Sequence, residues 1–313
     1  MKPDLISVAP LMQKHMDEIA QDFTIHKLPP AGPERDALLA KVGPDLRFLQ
    51  TTGFHGADAK LLNALPKLEI IACMGVGVDA VDLALAKKRG IAVTNTPDVL
   101  NDDVADLAIA LMLMTGRRLA LSDRYVRDGR WLKGSQPLAV KVSGKKLGIL
   151  GLGRIGKAIA KRAAAFDMDI SYFGRKKQDG VTYRFYPDLV QMARDVDFMV
   201  VICPGGPETK GIVNKPVIEA LGPQGYLINV ARGSVVDEPA LVKALQEGKL
   251  GGAGLDVFAD EPNAPKELFG MDQVVVAPHV GSATTETRTA MMDLVVANLR
   301  AHLRGQKLVT PYF

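Results

Sequence analysis

The chain has 313 residues, 47% of them hydrophobic and 24% charged, which are the proportions of an ordinary globular protein long enough for two domains. Its 39 basic and 35 acidic side chains leave a net charge of +4 spread along the chain, with no basic block of the kind that makes a nucleic-acid face. No uncharged apolar run approaches membrane-spanning length and the charged N-terminal stretch carries no cleavage-like region, so a cytoplasmic protein with neither a nucleic-acid nor a membrane partner is expected.

From residue 5 to about 97, five short apolar runs (LISVAP, DFTIHKL, LRFLQTT, LEIIACMG and IAVTNTP) alternate with helical segments such as DALLAKV, DAKLLNALP and AVDLALAKKRG. That alternation predicts a parallel α/β unit. The fourth run ends in MGVGVDAVDL, where Gly75 and Gly77 flank Val76 just ahead of a helix. Free backbone amides at a strand's carboxyl end suit an anion such as a carboxylate, and a glycine turn serving only chain reversal fits this segment equally well. Cys73 and Cys203 each lie inside an apolar run, which predicts two buried thiols rather than a disulfide or metal ligands, and a reducing compartment. No metal is expected.

Pro97 marks a break, and residues 101 to 128 predict the longest helix, with Asn101 or Asp102 as its N-cap. A long helix between two α/β units places a domain crossing near residue 98. Beyond it, KLGIL (146 to 150) reads as a buried strand and runs straight into GLGRIG (151 to 156) and the helix-prone KAIAKRAAAF. In such a turn Gly151 lets the backbone fold back, Gly153 has no side chain to hold off a pyrophosphate, and Gly156 lets helix and strand pack closely. The amides at the helix start, from Arg154, Ile155 and Gly156, would face the phosphates with the helix dipole behind them.

Strands MDISYF, FMVVIC, GYLINVA, GGAGLDV and QVVVAPH follow, and DEPALVKALQEG supplies a helix capped by Asp237 with Pro239 in its first turn. The last helical stretch, ETRTAMMDLVVANLRAHLRG, returns to the first unit. Residues 1–98 plus 285–313 are therefore expected to form one domain, and residues 99–284 a doubly wound dinucleotide-binding domain inserted in it.

The turn that selects between nicotinamide cofactors reads Tyr172, Phe173, Gly174, Arg175, Lys176, Lys177, with no acid, and Asp169 lies too early, at the strand's beginning. A 2′-hydroxyl needs an acceptor and a 2′-phosphate needs positive donors, so the turn favours NADPH, with NADH as the weaker alternative. Four of the five histidines have bland settings: His15 and His302 in amphipathic helical stretches, His26 in a strand or loop, His55 in a glycine turn. His279 instead ends the apolar strand QVVVAP and precedes GSAT. Arg232 in INVARG and Glu261 in LDVFADEP also follow strands of the same sheet, so the three converge on one edge.

Taken together, NVARGSVVDEPAL, GLDVFADEP, APHVGSAT, GLGRIG and MGVGVDAVDL resemble the D-isomer-specific 2-hydroxyacid dehydrogenase family over essentially the whole chain, and its glyoxylate/hydroxypyruvate reductase and hydroxyphenylpyruvate reductase branch above all. The resemblance implies two doubly wound parallel-sheet domains, a Rossmann-type cofactor domain inserted in a flavodoxin-like substrate domain. It also implies that Arg232 grips the carboxylate and keto oxygen of a small 2-keto acid, that the Val76 and Gly77 amides hold the other side of that carboxylate, and that His279, oriented by Glu261, is the proton donor. Asp256 would contact the nicotinamide amide; Cys203, Val230, Ala231 and Gly281 would line the cofactor; and Trp131 would reach the active site of the other subunit in a homodimer. CPGGPETKG departs from the family's more usual leucine-threonine wording after that strand, which leaves the contacts there open. Same-chemistry alternatives are 2-ketogluconate, arylpyruvate or phosphoglycerate-type substrates. The alternative of another class, a dinucleotide-sensing regulatory protein, would need an interaction tail or groove, and the chain ends in LVTPYF close to its core.

Overall fold

The computed structural model describes residues 2 to 313, which divide into two compact units, one running up to Leu100 and resuming over Thr284–Phe313, the other Asn101–Ala283. The first unit is built on strands β1 (Asp4–Ser7), β2 (Thr24–Lys27), β3 (Phe48–Thr52), β4 (Ile70–Met74) and β5 (Ala92–Thr94). They lie in the order β2-β1-β3-β4-β5, all parallel, which is the flavodoxin-like doubly wound arrangement. A central strand of such a sheet has helices on both faces, and Ile70 to Cys73 of β4 are accordingly apolar and fully buried. The helix Thr285–Leu303, capped by Thr284, packs against β4 and so returns the chain's end to this unit.

The second unit carries β6 (Lys146–Leu150), β7 (Asp169–Phe173), β8 (Arg184–Tyr186), β9 (Phe198–Val201), β10 (Tyr226–Asn229), β11 (Gly252–Leu255) and β12 (Val274–Val276). Their order is β12-β11-β10-β9-β6-β7-β8, again wholly parallel. The chain winds outward from β6 to β8, then crosses to β9 and continues the other way. Order therefore reverses between β6 and β9, the point where open α/β sheets leave a crevice at their carboxyl ends.

Three features differ from the sequence expectations. The helix expected over residues 101 to 128 is two helices, Asn101–Gly116 and Leu119–Arg127, with the chain turning at Arg118 in a left-handed conformation (φ 53°). Gly116 passes so close to Val142 and the Phe198 ring that a Cβ there would lie 3.1 Å and 3.2 Å from them, and the first helix ends in that contact. Asn101 and Asp102 belong to its first turn rather than capping it, and the Asp102 carboxylate accepts from Arg162 Nη2 at 2.9 Å. Finally, β8 is an edge strand of three residues, RFY, too short to show an alternation. Both cysteines are buried and neither is in a disulfide, and among the described residues no helix is long and apolar enough to cross a membrane.

Candidate active site

The glycine turn joins β6 to the helix Arg154–Ala164. Gly151 has φ 104°, and a Cβ on it would lie 2.8 Å from the Cys203 amide nitrogen, so both its backbone conformation and its close approach to the end of β9 require glycine. A Cβ on Gly156 would lie 2.2 Å from the Gly151 carbonyl oxygen, which is how helix and turn come into backbone contact. Gly153 differs, because a Cβ there would meet nothing within 4 Å. Gly153 is also the cap of its helix and offers no side-chain oxygen, whereas Asp58, Asp82, Asp188, Asn214, Asp237 and Thr284 cap their helices by accepting backbone amides. Open space over a helix start whose cap has no side chain, with the amides of Arg154, Ile155 and Gly156 in its first turn, fits the pyrophosphate of a dinucleotide.

Next to this turn, β7 ends at Phe173 and leads into Gly174, Arg175, Lys176 and Lys177, whose three cationic side chains are exposed. Asp169 sits at the opposite, amino end of β7. No acidic residue therefore stands among residues 172 to 177, where β7 ends and the turn begins.

At the carboxyl edge, β10, β11 and β12 end side by side, with Asn229 paired to Leu255 and Leu255 to Val276. Arg232, Glu261 and His279 stand on the loops just beyond these three ends. His279 Nδ1 lies 2.7 Å from Glu261 Oε2, and Glu261 Oε1 accepts the Phe258 amide at 3.0 Å. Burial raises the Glu261 carboxyl, but the bonds to His279 and Phe258 and the charges of His279 and Arg232 outweigh it, holding the group below the usual glutamate range. Ionised Glu261 accepts the Nδ1 proton, which leaves Nε2 as the ring nitrogen able to exchange a proton with a ligand.

His279 has a left-handed backbone (φ 55°), rare for a residue with a side chain. Its conformation is held from Asp256: the Asp256 carbonyl accepts the His279 amide at 2.8 Å, and the carboxylate accepts the Val280 and Gly281 amides at 2.7 Å and 2.9 Å. Asp256 is almost wholly buried, and burial lifts its carboxyl above the usual range despite those two amides.

Two residues that sequence reasoning did not single out shape the Arg232 loop. Asn229, buried at the end of β10, accepts the Ala231 amide and donates to the Arg232 carbonyl, each at 3.1 Å. Gly233 presses so tightly on the loop after β11 that a Cβ would lie 1.9 Å from the Phe258 carbonyl carbon and oxygen. The signal for Asn229 was a polar residue closing an apolar strand, and that for Gly233 the glycine directly after Arg232. The Arg232 guanidinium itself donates to the Ala231 carbonyl at 2.7 Å.

Of the remaining expected site residues, Val230 and Ala231 are buried beside β10, and Cys203 follows β9 with its thiol pushed up to about 11 by burial, so it is no nucleophile near neutrality. Trp131, on the short helical turn Arg130–Lys133, is 68% exposed. In the other unit, Gly75 (φ 144°) exchanges hydrogen bonds with Thr96, and Asn95 Nδ2 pins the Val76 carbonyl at 2.9 Å. Neither the Val76 nor the Gly77 amide donates to an acceptor among the described residues, so both stay available to an anion.

A wholly parallel sheet with a glycine turn open at its reversal point, and a carboxylate-paired histidine and an arginine on loops of the same edge, is that of a nicotinamide dinucleotide-dependent oxidoreductase. Residues 109–281 match the family model described as D-isomer specific 2-hydroxyacid dehydrogenase, NAD binding domain. The chain is 50% identical over 307 residues to hydroxyphenylpyruvate reductase of Plectranthus scutellarioides, covering 98% of each chain, and 53% identical over 279 residues to glyoxylate/hydroxypyruvate reductase A HPR2 of Arabidopsis thaliana, covering 89% of each. Its fold superposes with a TM-score of 0.93 on the NADPH-dependent glyoxylate/hydroxypyruvate reductase of Sinorhizobium meliloti in complex with NADP and malonate, at 43% identity over 99% of this chain and 97% of that one. The protein belongs to the D-isomer specific 2-hydroxyacid dehydrogenase family.

Proposed function

We propose that the protein is an NADPH-preferring reductase that converts small 2-keto acids, glyoxylate and hydroxypyruvate first among them, to D-2-hydroxy acids. The observation that carries this reading is the Glu261–His279 hydrogen bond, with Arg232 near enough for its charge to lower the Glu261 carboxyl, on the edge that also bears the glycine turn. The names of the relatives above support the choice of substrates, and the basic turn supports that of cofactor.

When bound, the reduced nicotinamide supplies the hydride. Arg232 presents a planar fork of donors to the substrate's carboxylate and keto oxygen and so orients the carbonyl. Val76 and Gly77 offer two further amides to a carboxylate. His279 holds the proton at Nε2, because Nδ1 is engaged by Glu261, and delivers it to the oxygen as negative charge builds there. The guanidinium and the imidazolium stabilise that charge. Asp256 is the acceptor for the nicotinamide amide, while Cys203, Val230, Ala231 and Gly281 line the cofactor.

Initial rates for glyoxylate, hydroxypyruvate, phenylpyruvates and 2-ketogluconate with each reduced cofactor test the reading. Rapid NADPH oxidation with the small keto acids is expected, giving achiral glycolate from glyoxylate and a D-configured product from hydroxypyruvate. No turnover with any of the four, or an L-product, sinks it. Arg175→Ala is expected to raise the NADPH KM roughly tenfold or more while the NADH KM stays within about twofold, since a charge-assisted phosphate contact contributes about 1.5–3 kcal/mol. Equal changes would make the basic turn a solvated one.

The molecule further acts as a homodimer in the cytoplasm, with Trp131 reaching the partner's active site. Supporting this, Leu119, Val126, Trp131, Leu132 and Leu138 are exposed within one stretch of the second unit, Leu132 and Leu138 by 94% and 95%. Sedimentation at micromolar concentration should give a dimer that Leu132→Asp shifts towards monomer.

A further inference from the structure

Gln178 follows the basic turn directly and is bonded at both ends. Its backbone amide donates to the Tyr172 hydroxyl at 2.8 Å, and its side-chain Nε2 donates to the Leu152 carbonyl at 2.7 Å. Tyr172 is a fully buried member of β7, so the first bond anchors the turn to the sheet. Leu152 lies between Gly151 and Gly153, so the second bond ties the turn to the loop proposed to hold the pyrophosphate. Arg175, Lys176 and Lys177 are exposed, and no ion pair with an acid is formed by any of them among the described residues, so little else in their own contacts fixes their distance from the glycine turn. The 2′-phosphate and the pyrophosphate of one dinucleotide lie at a set separation. A bond between the two loops that would receive them sets the matching separation in the protein.

We infer that Gln178 is a positioning residue for cofactor choice: by clasping the Leu152 carbonyl it holds the basic turn at the spacing that a 2′-phosphorylated dinucleotide requires. This rests on the NADPH reading above. Gln178 touches no phosphate itself. Removing its amide donor therefore lets the cationic turn drift relative to the glycine turn, which weakens the doubly anchored ligand and leaves the singly anchored one nearly unchanged.

The test measures the dissociation constants of NADPH and NADH on the full-length protein carrying Gln178→Leu, Gln178→Glu, Tyr172→Phe, Arg175→Ala and the double change Arg175→Ala/Gln178→Leu. Gln178→Leu and Gln178→Glu both lose the donor and are expected to weaken NADPH about five- to tenfold and NADH less than about twofold, with kcat at saturating cofactor unchanged. Tyr172→Phe, an isosteric change, should move the same ratio in the same direction by less. If Gln178 acts through the basic turn, the double variant should be no weaker for NADPH than Arg175→Ala alone. Equal weakening of both cofactors by Gln178→Leu, or full additivity with Arg175→Ala, overturns the inference and makes the clasp purely structural. An NADPH-to-NADH ratio left unchanged by Arg175→Ala overturns the NADPH reading and this inference with it. A ratio changed by Arg175→Ala and untouched by every Gln178 and Tyr172 variant overturns the inference alone.

Discussion

His279→Gln should lower kcat by about a thousandfold or more while the cofactor's dissociation constant stays within about twofold, because one side chain carries two functions at the same atom. In the proposed mechanism its Nε2 delivers the proton, and the imidazolium stabilises the growing charge on the substrate oxygen before transfer is complete. General acid catalysis alone contributes about 10²–10⁴ in rate. Glutamine keeps a donor near the site but cannot surrender a proton, and its amide cannot form the charged pair with Glu261 that fixes the ring at 2.7 Å. Cofactor affinity is spared because the glycine turn stands on β6, several strands away in the sheet. Glu261→Gln should give a smaller loss, roughly tenfold or more, as the ring's orientation and the charged bond weaken together. The Glu261 carboxyl is held below its ordinary value, so its contribution is fully present above the usual glutamate range and fades only as pH falls through the lowered value. A pH–rate profile whose acid limb is unmoved by Glu261→Gln, or a His279→Gln enzyme retaining wild-type kcat, would remove the pair from the chemistry.

The parts of this molecule that were legible in the sequence are those where backbone pattern and residue chemistry agree. KLGIL followed by GLGRIG reads correctly as strand, turn and helix because a buried strand, a forced turn and a helix start are all local events, and the structure has Gly151 at a φ of 104°, a clear space over Gly153 and a close contact at Gly156. The two sheets were readable because parallel strands buried on both faces appear as continuous apolar runs. Three-residue β8 was not, since it lies at an edge and shows no period. The break at Arg118 also escaped, because it depends on Gly116 meeting Phe198 and Val142, residues whose proximity only the fold creates. In the site, Arg232, Glu261 and His279 were visible as polar residues ending apolar strands. The backbone anchors that position them, Asn229 beneath Arg232 and Asp256 beneath His279, could not be given those duties, because their partners lie across loops or in neighbouring strands.

Gly233→Ala is expected to be among the most damaging single methyl groups that could be added to this protein, and the reason separates it from Gly153→Ala in the same domain. A Cβ at residue 233 would stand 1.9 Å from the Phe258 carbonyl carbon and oxygen and 2.4 Å from the Ala259 nitrogen. Those are backbone atoms, and Cβ has no rotamer with which to avoid them, so the loops after β10 and β11 must part. The first loop carries Arg232, and the second carries Glu261, whose Oε1 is fixed by the Phe258 amide in the same contact. Overpacking of this kind costs about 1–3 kcal/mol in stability, and a displacement of about 1 Å between reacting groups costs about a hundredfold in rate, so kcat/KM should fall by at least that factor in whatever protein still folds. At residue 153 the added methyl meets nothing within 4 Å, so thermal stability should hold while dinucleotide affinity drops, the new atom standing where the pyrophosphate approaches. Thermal melts with cofactor titrations on both variants distinguish the two cases. Cofactor affinity unchanged by Gly153→Ala would mean that the pyrophosphate does not pass over that glycine, and a fully active, fully stable Gly233→Ala would mean that the Arg232 loop does not depend on its contact with Phe258.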